Sequence, residues 1–254
     1  ELEDVTRDLQ AARAAQERHG QQMPVLVMLD NGSTEEDVPA YRHLAHYDVP
    51  TIVIDHHHPD PEAVDPLVDA HINPYLHGED YRITTGMMSV ELARAVSPAV
   101  TPKVQHVPAI AGLMDRSKDT EAMAAYGSLA EAAGYTEADL RDVGEALDYL
   151  AYWLRYHHGA GMVESVLGVG DGETTRQADL VEFLATEAAE AVDTQLTAIG
   201  DAYTERTLAS GAHLVTVDLD AWTHRFTYPP PGKTTGKLHD KLTTMLDDPV
   251  ITIG

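Results

Sequence analysis

Three short apolar runs constrain the fold of this chain more than any other feature. They read VLVML at 25–29, TIVI at 51–54 and AIAGLM at 109–114. Uninterrupted apolar runs of this length, bounded by turn residues, are typical of strands buried on both faces in a parallel sheet. Patterns with a period of 3.6 residues at 1–19, 35–47 and 84–96 predict helices around them. Strands that alternate with helices predict an α/β fold with an open, mostly parallel sheet and helices on both faces.

The rest of the chain predicts mainly helices and then a second sheet. Helical patterns dominate from about 121 to 208, with a Gly-rich break at 159–172, and residues 213–219 alternate like a strand with 225–228 as a candidate partner. A short helix at 237–246 and a strand start at 249–253 follow. We therefore predict an α/β domain over 1–125, a helical region and connector over 126–208, and the beginning of a second α/β domain over 209–254.

Composition limits the class of protein. The chain has 254 residues, 42 of them acidic against 17 Lys and Arg, no Cys, and a formal charge of −25. The absence of Cys excludes disulfides and thiolate metal sites. No apolar run approaches the ~20 residues of a membrane span, so we expect no membrane partner. No signal-peptide pattern opens the chain, and we expect a cytoplasmic protein.

The excess of acidic over basic residues also indicates a salt-rich environment. Only five of the cations are Lys, and an acidic, Lys-poor surface favours a halophilic cytosol. At ~1 M salt the Debye length is only ~3 Å, so the negative charge would not repel nucleic acid beyond direct contact. Nucleic acid therefore remains a candidate substrate.

Acidic and imidazole side chains follow all three apolar runs. They are Asp30, then Asp55 with His56 and His57, and finally Asp115. Ligands of open α/β sheets bind at the carboxyl ends of the strands, so we expect these side chains to meet there. Carboxylates in close proximity repel one another unless a cation lies between them. Imidazole with carboxylate suits Mn, Fe or Zn, and a carboxylate-rich site favours Mn.

These residues carry a family resemblance. The segments LDNGST at 29–34, IDHHHPD at 54–60 and GLMDRSKDTEA at 112–122 resemble motifs of the DHH phosphoesterase superfamily, and the segment at 71–93 resembles its archaeal RecJ-like branch. The resemblance is strong over about 23–125. It implies that the first segment is a DHH domain, that the helical region is a connector, and that the chain ends in the beginning of a DHH-associated domain.

The resemblance implies a role for each matching residue. Asp30, His56 and Asp115 match metal ligands of the family. His57 matches a catalytic histidine near the scissile phosphate, and Asp55 matches a carboxylate that fixes an imidazole tautomer. The implied cofactor is Mn²⁺ in a two-metal site of the intact protein, with Mg²⁺ as the second candidate.

One motif of the family is missing. The family's first Asp-x-Asp strand has no counterpart before Asp30, where the sequence predicts a helix. We interpret this as truncation of a longer protein. We expect the chain as given to bind one metal at best, weakly, and to be poorly active or inactive.

Further residues are candidates for substrate binding. Arg82, Thr84 and Thr85 precede a predicted helix, whose N-terminus favours anions, although Thr84 also suits an ordinary helix cap. Arg116 lies next to Asp115 and could pair with phosphate. The segment GKTTGK at 232–237 lacks the strand and spacing of a phosphate loop, and we predict a loop there.

The resulting hypothesis is a metal-dependent phosphodiesterase, and specifically an exonuclease acting on single-stranded nucleic acid. A phosphodiesterase of short oligonucleotides or cyclic dinucleotides is the alternative within the same chemistry. A non-catalytic module that interacts with replication or repair proteins is the alternative from a different class. The sequence leaves open whether the substrate is DNA or RNA, which strand end is cleaved first, and which oligomeric state the protein adopts.

Overall fold

A computed structural model describes residues 2–154, 162–170, 174–224 and 226–254. The chain divides into two compact units, Glu1–Arg141 and Asp142–Gly254. Each unit contains a three-stranded sheet. Within the described ranges, no helix is both long enough and apolar enough to cross a membrane.

The sheet of the first unit is parallel throughout. Its strands are β1 (Leu26–Leu29), β2 (Thr51–Ile54) and β3 (Ala70–Ile72), in that spatial order. The register places Met28 opposite Val53, and Val53 opposite His71. The two strands predicted at the start of the chain are confirmed. The third strand was not predicted, because three residues without an apolar run give too weak a pattern.

Helices flank this sheet, and the predicted α/β architecture is confirmed. The predicted helices at 1–19 and 84–96 are confirmed as well. The helices are α1 (Leu2–His19), α2 (Val38–Leu44), α3 (Pro61–Val64), α4 (Thr85–Val96), α5 (Val107–Met114), α6 (Glu121–Ala132) and α7 (Glu137–Leu154), of which α7 continues into the second unit. Short 3₁₀ segments lie at Glu35–Asp37, Ala45–Tyr47, Asp65–Leu67, Pro74–His77 and Pro98–Lys103.

The third predicted strand is wrong, because residues 109–114 belong to helix α5. Pro108 lies in the first turn of this helix, where proline is well tolerated. Pro108, Ala109, Ile110 and Gly112 are all buried. A helix buried on several sides is apolar all round, so its sequence lacks the 3.6-residue period and resembles a buried strand.

Close packing of α4 against α5 fixes the position of Asp115, which follows α5. A Cβ atom on Gly86 would lie 2.4 Å from Cβ of Ala111, so only glycine permits this approach. The core beneath the sheet contains Tyr41, Val53 and Val64, all buried.

The second unit contains one antiparallel and one parallel strand pair. Strand β5 (His213–Thr216) lies between β4 (Thr204–Thr207), which is antiparallel to it, and β6 (Val250–Ile253), which is parallel. Its further helices are α8 (Val163–Leu167), α9 (Thr174–Ile199), α10 (Leu219–Trp222) and α11 (Pro231–Met245). Its core contains Ile199, Val215, Val217, Leu238 and Leu242.

Several predictions for this part of the chain are corrected. The helical pattern that we extended to 208 ends at Ile199, and β4 follows it. Residues 226–228 form no strand beside β5, whose partners are β4 and β6. The GKTTGK segment belongs to α11 and is not a loop. The strand at the end of the chain is confirmed. The Gly-rich break at 159–172 lies largely outside the described residues.

Candidate metal centre

The sheet itself places Asp30 and Asp55 at its carboxyl edge. The backbone N–H of Asp30 donates to the carbonyl of Ile54 at 3.0 Å, and that of Asp55 donates to the carbonyl of Ile72 at 3.1 Å. Each aspartate therefore extends the strand ladder by one hydrogen bond. Asp30 then has a φ of 60°, in the left-handed region that few residues other than glycine adopt. Such backbone strain is concentrated at functional sites in proteins.

Three predicted site residues lie in one compact cluster. One ligand atom each from Asp30, His56 and His57 lies within 4.8 Å of the others. Nε2 of His56 is 3.4 Å from Oδ1 of Asp30. His56 is buried, while Asp30 is exposed. The cluster therefore opens to solvent on the aspartate side, where a ligand can enter.

A backbone carbonyl sets the proton position on His56. Nδ1 of its ring lies 2.8 Å from the carbonyl oxygen of Tyr81. A carbonyl only accepts hydrogen bonds, so Nδ1 carries a proton and donates. In the neutral ring Nε2 then presents its lone pair towards Asp30, which is the tautomer that a metal ligand needs.

The carboxylate of Asp55 fixes the proton position on the His57 ring in the same way. Nδ1 of His57 lies 2.7 Å from Oδ1 of Asp55. The same oxygen accepts the backbone N–H groups of His56 at 2.8 Å and of His57 at 3.3 Å. The Asp55 carboxylate raises the pKa of His57, chiefly through its hydrogen bond. Nε2 of His57 is left as the ring nitrogen available to the cluster.

Hydrogen bonds keep the buried Asp55 ionised. Its side chain is only 1% exposed, and burial by itself acts to raise its pKa. Hydrogen bonds from the side chains of His57 and Ser33, together with the backbone of His57, outweigh that effect and lower the pKa.

Asp115 borders the cluster from the end of α5. Its backbone N–H donates to the carbonyl of Ala111 at 3.0 Å, so it caps the helix C-terminus. Although Asp115 is exposed, enough protein surrounds its carboxyl group for desolvation to be the main cause of its raised pKa. Asp30 raises that pKa further, while His56 and His57 lower it. Asp115 is therefore close enough to these three residues to interact with them electrostatically.

The donor set fits a divalent cation. Nε2 of His56 and Oδ1 of Asp30 lie 3.4 Å apart, and Asp30 also repels Asp115. A cation bound between these atoms would satisfy the lone pairs and neutralise the carboxylates. Imidazole nitrogen from His56 with carboxylate oxygen from Asp30 forms a borderline donor set that suits Mn, Fe or Zn.

The four candidate substrate residues have different environments. Arg82 is half-exposed and binds both carboxylate oxygens of Asp80, with Nη2 at 2.8 Å from Oδ2. Thr84 is buried and caps α4 by accepting from the N–H of Met87, and Thr85 is buried beside it. Arg116 is exposed and has a φ of 55°. Contact of these residues with substrate stays a prediction.

Sequence reasoning missed three polar residues beneath the cluster. Ser33, His71 and Asn73 hydrogen-bond to one another or to the residues of the centre. His71 lies on β3, and Asn73 follows directly after that strand. Recognition of the short strand would have predicted Asn73 at a strand end, beside Asp30 and Asp55.

The chain has a curated relative that matches it over its whole length. The chain is 36% identical over 272 residues to the uncharacterized protein MJ1198 of Methanocaldococcus jannaschii, and the match covers all of this chain and 36% of that protein. No protein-family model matches the chain.

A solved structure gives the fold directly. It is described as the PF0399 DHH domain of a member of the s1p family of ribosomal proteins, and it superposes with a TM-score of 0.90 at 35% identity. The match covers 99% of this chain and 59% of that one, so this chain spans little more than half of its solved relative. The chain therefore has the fold of a DHH domain, and this likeness supports its place in the DHH superfamily.

Proposed function

We propose that the chain is the metal-binding part of a phosphodiesterase, in which Asp30 and His56 hold Mn²⁺ with Asp115 beside them. The observation that carries this proposal is the cluster of Asp30, His56 and His57 within 4.8 Å at the carboxyl edge of the sheet. Phosphodiester hydrolysis needs positive charge where the phosphoryl oxygens gain negative charge, and a bound divalent cation supplies it. The DHH fold supports the same chemistry.

The chain's own residues would orient the substrate and move protons. His57 is held through Nδ1 by Asp55, so Nε2 is its remaining ring nitrogen, and it can donate a hydrogen bond from that atom when the ring is protonated. The raised pKa of His57 favours that protonated form. His57 would therefore stabilise charge on a phosphoryl or leaving oxygen. The exposed side of the cluster admits the phosphate, and buried Asp55 keeps the ring in one orientation.

Single-stranded nucleic acid is the substrate class that we propose. The DHH fold supports it, and the description of the solved relative as a member of a ribosomal protein family makes RNA the first strand to test. The formal charge of −25 opposes binding of a polyanion at low salt. Screening at ~1 M salt removes most of that repulsion beyond about 3 Å. We therefore propose that turnover needs high ionic strength.

The test uses the natural protein that contains this sequence, end-labelled single strands of RNA and DNA, and Mn²⁺ in molar KCl. Release of mononucleotides from one end is the expected result. Loss of that release in the His57→Ala variant, with metal binding retained, would place the activity in this cluster. Cleavage confined to two- or three-residue oligomers or cyclic dinucleotides would show that these short molecules, and not long single strands, are the substrate class. Absence of turnover with every substrate would overturn the enzyme proposal and favour a non-catalytic interaction module.

A further inference from the structure

A tight turn precedes helix α4 in the chain. The backbone N–H of Ile83 donates to the carbonyl of Asp80 at 3.1 Å, which closes a four-residue turn with Tyr81 and Arg82 at its centre. A turn with this hydrogen bond is of type I when both central residues have negative φ, because types II, I′ and II′ each need a positive φ. Neither Tyr81 nor Arg82 has a positive φ, so the turn is of type I.

The peptide group at the centre of this turn contacts a candidate metal ligand. It joins Tyr81 to Arg82, and its carbonyl oxygen lies 2.8 Å from Nδ1 of His56. Its N–H group donates to Oδ1 of Asp80 at 3.0 Å. Because a peptide group is planar and rigid, the orientation of its N–H also sets the orientation of its carbonyl. The Asp80 carboxylate and the His56 ring are therefore linked through one plane.

Type I and type II turns differ mainly in the orientation of that central peptide group. A half-rotation exchanges its carbonyl and its N–H, while the hydrogen bond between the first and fourth residues is compatible with both types. In a type II turn here, the N–H of Arg82 would face His56 in place of the Tyr81 carbonyl. A neutral imidazole facing a donor favours an unprotonated Nδ1, so its proton would lie on Nε2, the nitrogen 3.4 Å from Asp30.

The Asp80 side chain favours the observed orientation. A carboxylate at the first position of a turn accepts the backbone N–H two residues further on, and this contact requires the N–H to point towards it. The guanidinium of Arg82 holds the same carboxylate, with Nε 2.9 Å from Oδ1 and Nη2 2.8 Å from Oδ2. A type II turn would also give Arg82 a positive φ, which is unfavourable for a residue with a Cβ atom.

A further contact anchors the turn without deciding the orientation of its central peptide group. Oγ of the buried Ser117 donates to the carbonyl of Arg82 at 2.7 Å. Ser117 follows Asp115 by two residues, so this bond joins the turn to the segment that contains Asp115. It involves the peptide group after the central one. The central peptide group itself is bonded by Asp80 on one side and by His56 on the other.

We propose that Asp80 is a positioning residue of the metal centre. Its carboxylate orients the peptide group between Tyr81 and Arg82, and that peptide group keeps the proton of neutral His56 on Nδ1 and leaves Nε2 free for a metal. The proposal rests on the proposed function for the purpose of a free Nε2. Its structural content, the dependence of the His56 tautomer on Asp80, stands independently of metal binding and of any activity.

Three variants and one control separate the hydrogen-bond acceptor from the charge. Asp80→Ala removes both, while Asp80→Asn removes the charge and keeps an oxygen that can accept the N–H of Arg82. Arg82→Ala removes the ion pair and keeps the Asp80 carboxylate and the backbone N–H. The control is Asp218→Ala in the second unit, because Oδ1 of Asp218 also accepts the N–H two residues further on, that of Asp220 at 3.1 Å. Circular dichroism and thermal unfolding show which variants remain folded.

The primary measurement is the tautomer of His56, read from long-range ¹H–¹⁵N NMR without metal at a pH that keeps the ring neutral. The wild type, Asp80→Asn, Arg82→Ala and Asp218→Ala should show the proton on Nδ1. Asp80→Ala should shift population to the Nε2–H tautomer. A folded Asp80→Ala protein with the wild-type His56 spectrum would overturn the proposal, and an Asp80→Asn spectrum equal to that of Asp80→Ala would contradict the role of the acceptor oxygen.

Calorimetric titration with Mn²⁺ separates this proposal from the proposed function. Asp80→Ala should weaken Mn²⁺ binding by about 10–100-fold, the range for partners that orient a metal ligand, while Asp80→Asn, which loses the same charge, should bind like the wild type. A wild type that binds no Mn²⁺ would defeat the proposed function and leave the NMR result to decide the role of Asp80. Equal Mn²⁺ affinity of Asp80→Ala and the wild type would defeat the positioning role alone.

Discussion

Nδ1 of His56 lies 2.8 Å from the carbonyl oxygen of Tyr81, and this single contact fixes which ring nitrogen faces Asp30. Nε2 of His56 lies 3.4 Å from Oδ1 of Asp30, at the carboxyl edge of the sheet. A divalent cation at this point would bind both atoms, so Asp30 and His56 are the two ligands whose loss should matter most for metal binding.

Loss of either ligand should strongly weaken Mn²⁺ binding. Asp30→Asn removes the charge and His56→Ala removes the nitrogen, so each should weaken binding more than the about 10–100-fold typical of residues that only support a ligand. Isothermal titration with Mn²⁺ measures the change.

Asp48→Asn provides a matched control for that experiment. Asp48 is exposed and has a φ of 51°, close to the 60° of Asp30, but it follows a 3₁₀ segment and caps it. Unchanged affinity is expected for this variant. Equal weakening by Asp48→Asn and Asp30→Asn would show that the Mn²⁺ responds only to the overall negative charge of the protein.

Asp55→Asn should lower activity while the fold persists. The amide oxygen can still accept the two backbone N–H groups, but it cannot hold His57 as a carboxylate does. We expect a loss of about 10–100-fold in kcat or metal affinity. Steady-state kinetics with the natural protein measures it, and a variant with full activity would show that the ring needs no charged partner.

Gly32→Ala should destabilise the first unit. Gly32 has a φ of +102°, and an added Cβ would lie 2.2 Å from the hydroxyl of Tyr41, which donates to the Gly32 carbonyl at 2.7 Å. We expect a loss of about 2 kcal/mol or more in the free energy of unfolding, because both backbone strain and steric overlap contribute.

Gly127→Ala should instead increase the free energy of unfolding of the first unit. Gly127 lies within α6, and an added Cβ meets nothing within 4 Å. Alanine in a helix interior is more stable than glycine by about 0.5–1 kcal/mol. Urea unfolding measures both variants, and a stabilised Gly32→Ala protein would contradict the close approach of Tyr41 to the turn that contains Gly32.

Acid should remove a stabilising contribution from the second unit. Glu145 binds Nζ of Lys237 at 2.7 Å and also binds Lys233, whose Nζ lies 2.7 Å from Asp148. Burial acts to raise the pKa of Glu145, but the hydrogen bonds from the two lysines lower it below its usual value. A lowered folded-state pKa means that this stabilisation is full above the ordinary carboxyl pKa and is lost as the pH falls through the lowered pKa.

The variant Glu145→Gln tests that pH dependence. A charge-assisted hydrogen bond contributes about 1.5–3 kcal/mol, so the variant should unfold more easily at neutral pH by an amount of that order. Its stability should also fall less steeply in acid than that of the wild type. Parallel stability curves of wild type and variant across the acid range would show that Glu145 titrates equally in both states.

Local patterns were sufficient for the elements whose periodicity is undisturbed. The apolar runs of β1 and β2 and the helices α1 and α4 were predicted at nearly their observed positions. Helix α5 was assigned to a strand because it is buried on several sides. Strand β4 was missed because all four of its residues are exposed and polar, so nothing in the sequence alternates.

Local sequence patterns are sufficient to identify Asp30, His56 and His57 as candidate ligands, because these residues follow strands whose apolar composition is recognisable. The positions of the ring protons depend instead on tertiary contacts with the carbonyl of Tyr81 and the carboxylate of Asp55. Tertiary contacts also bring Asp65, His71 and Ser33 together. Side-chain orientation depends on contacts between residues distant along the chain, and no local pattern records such contacts.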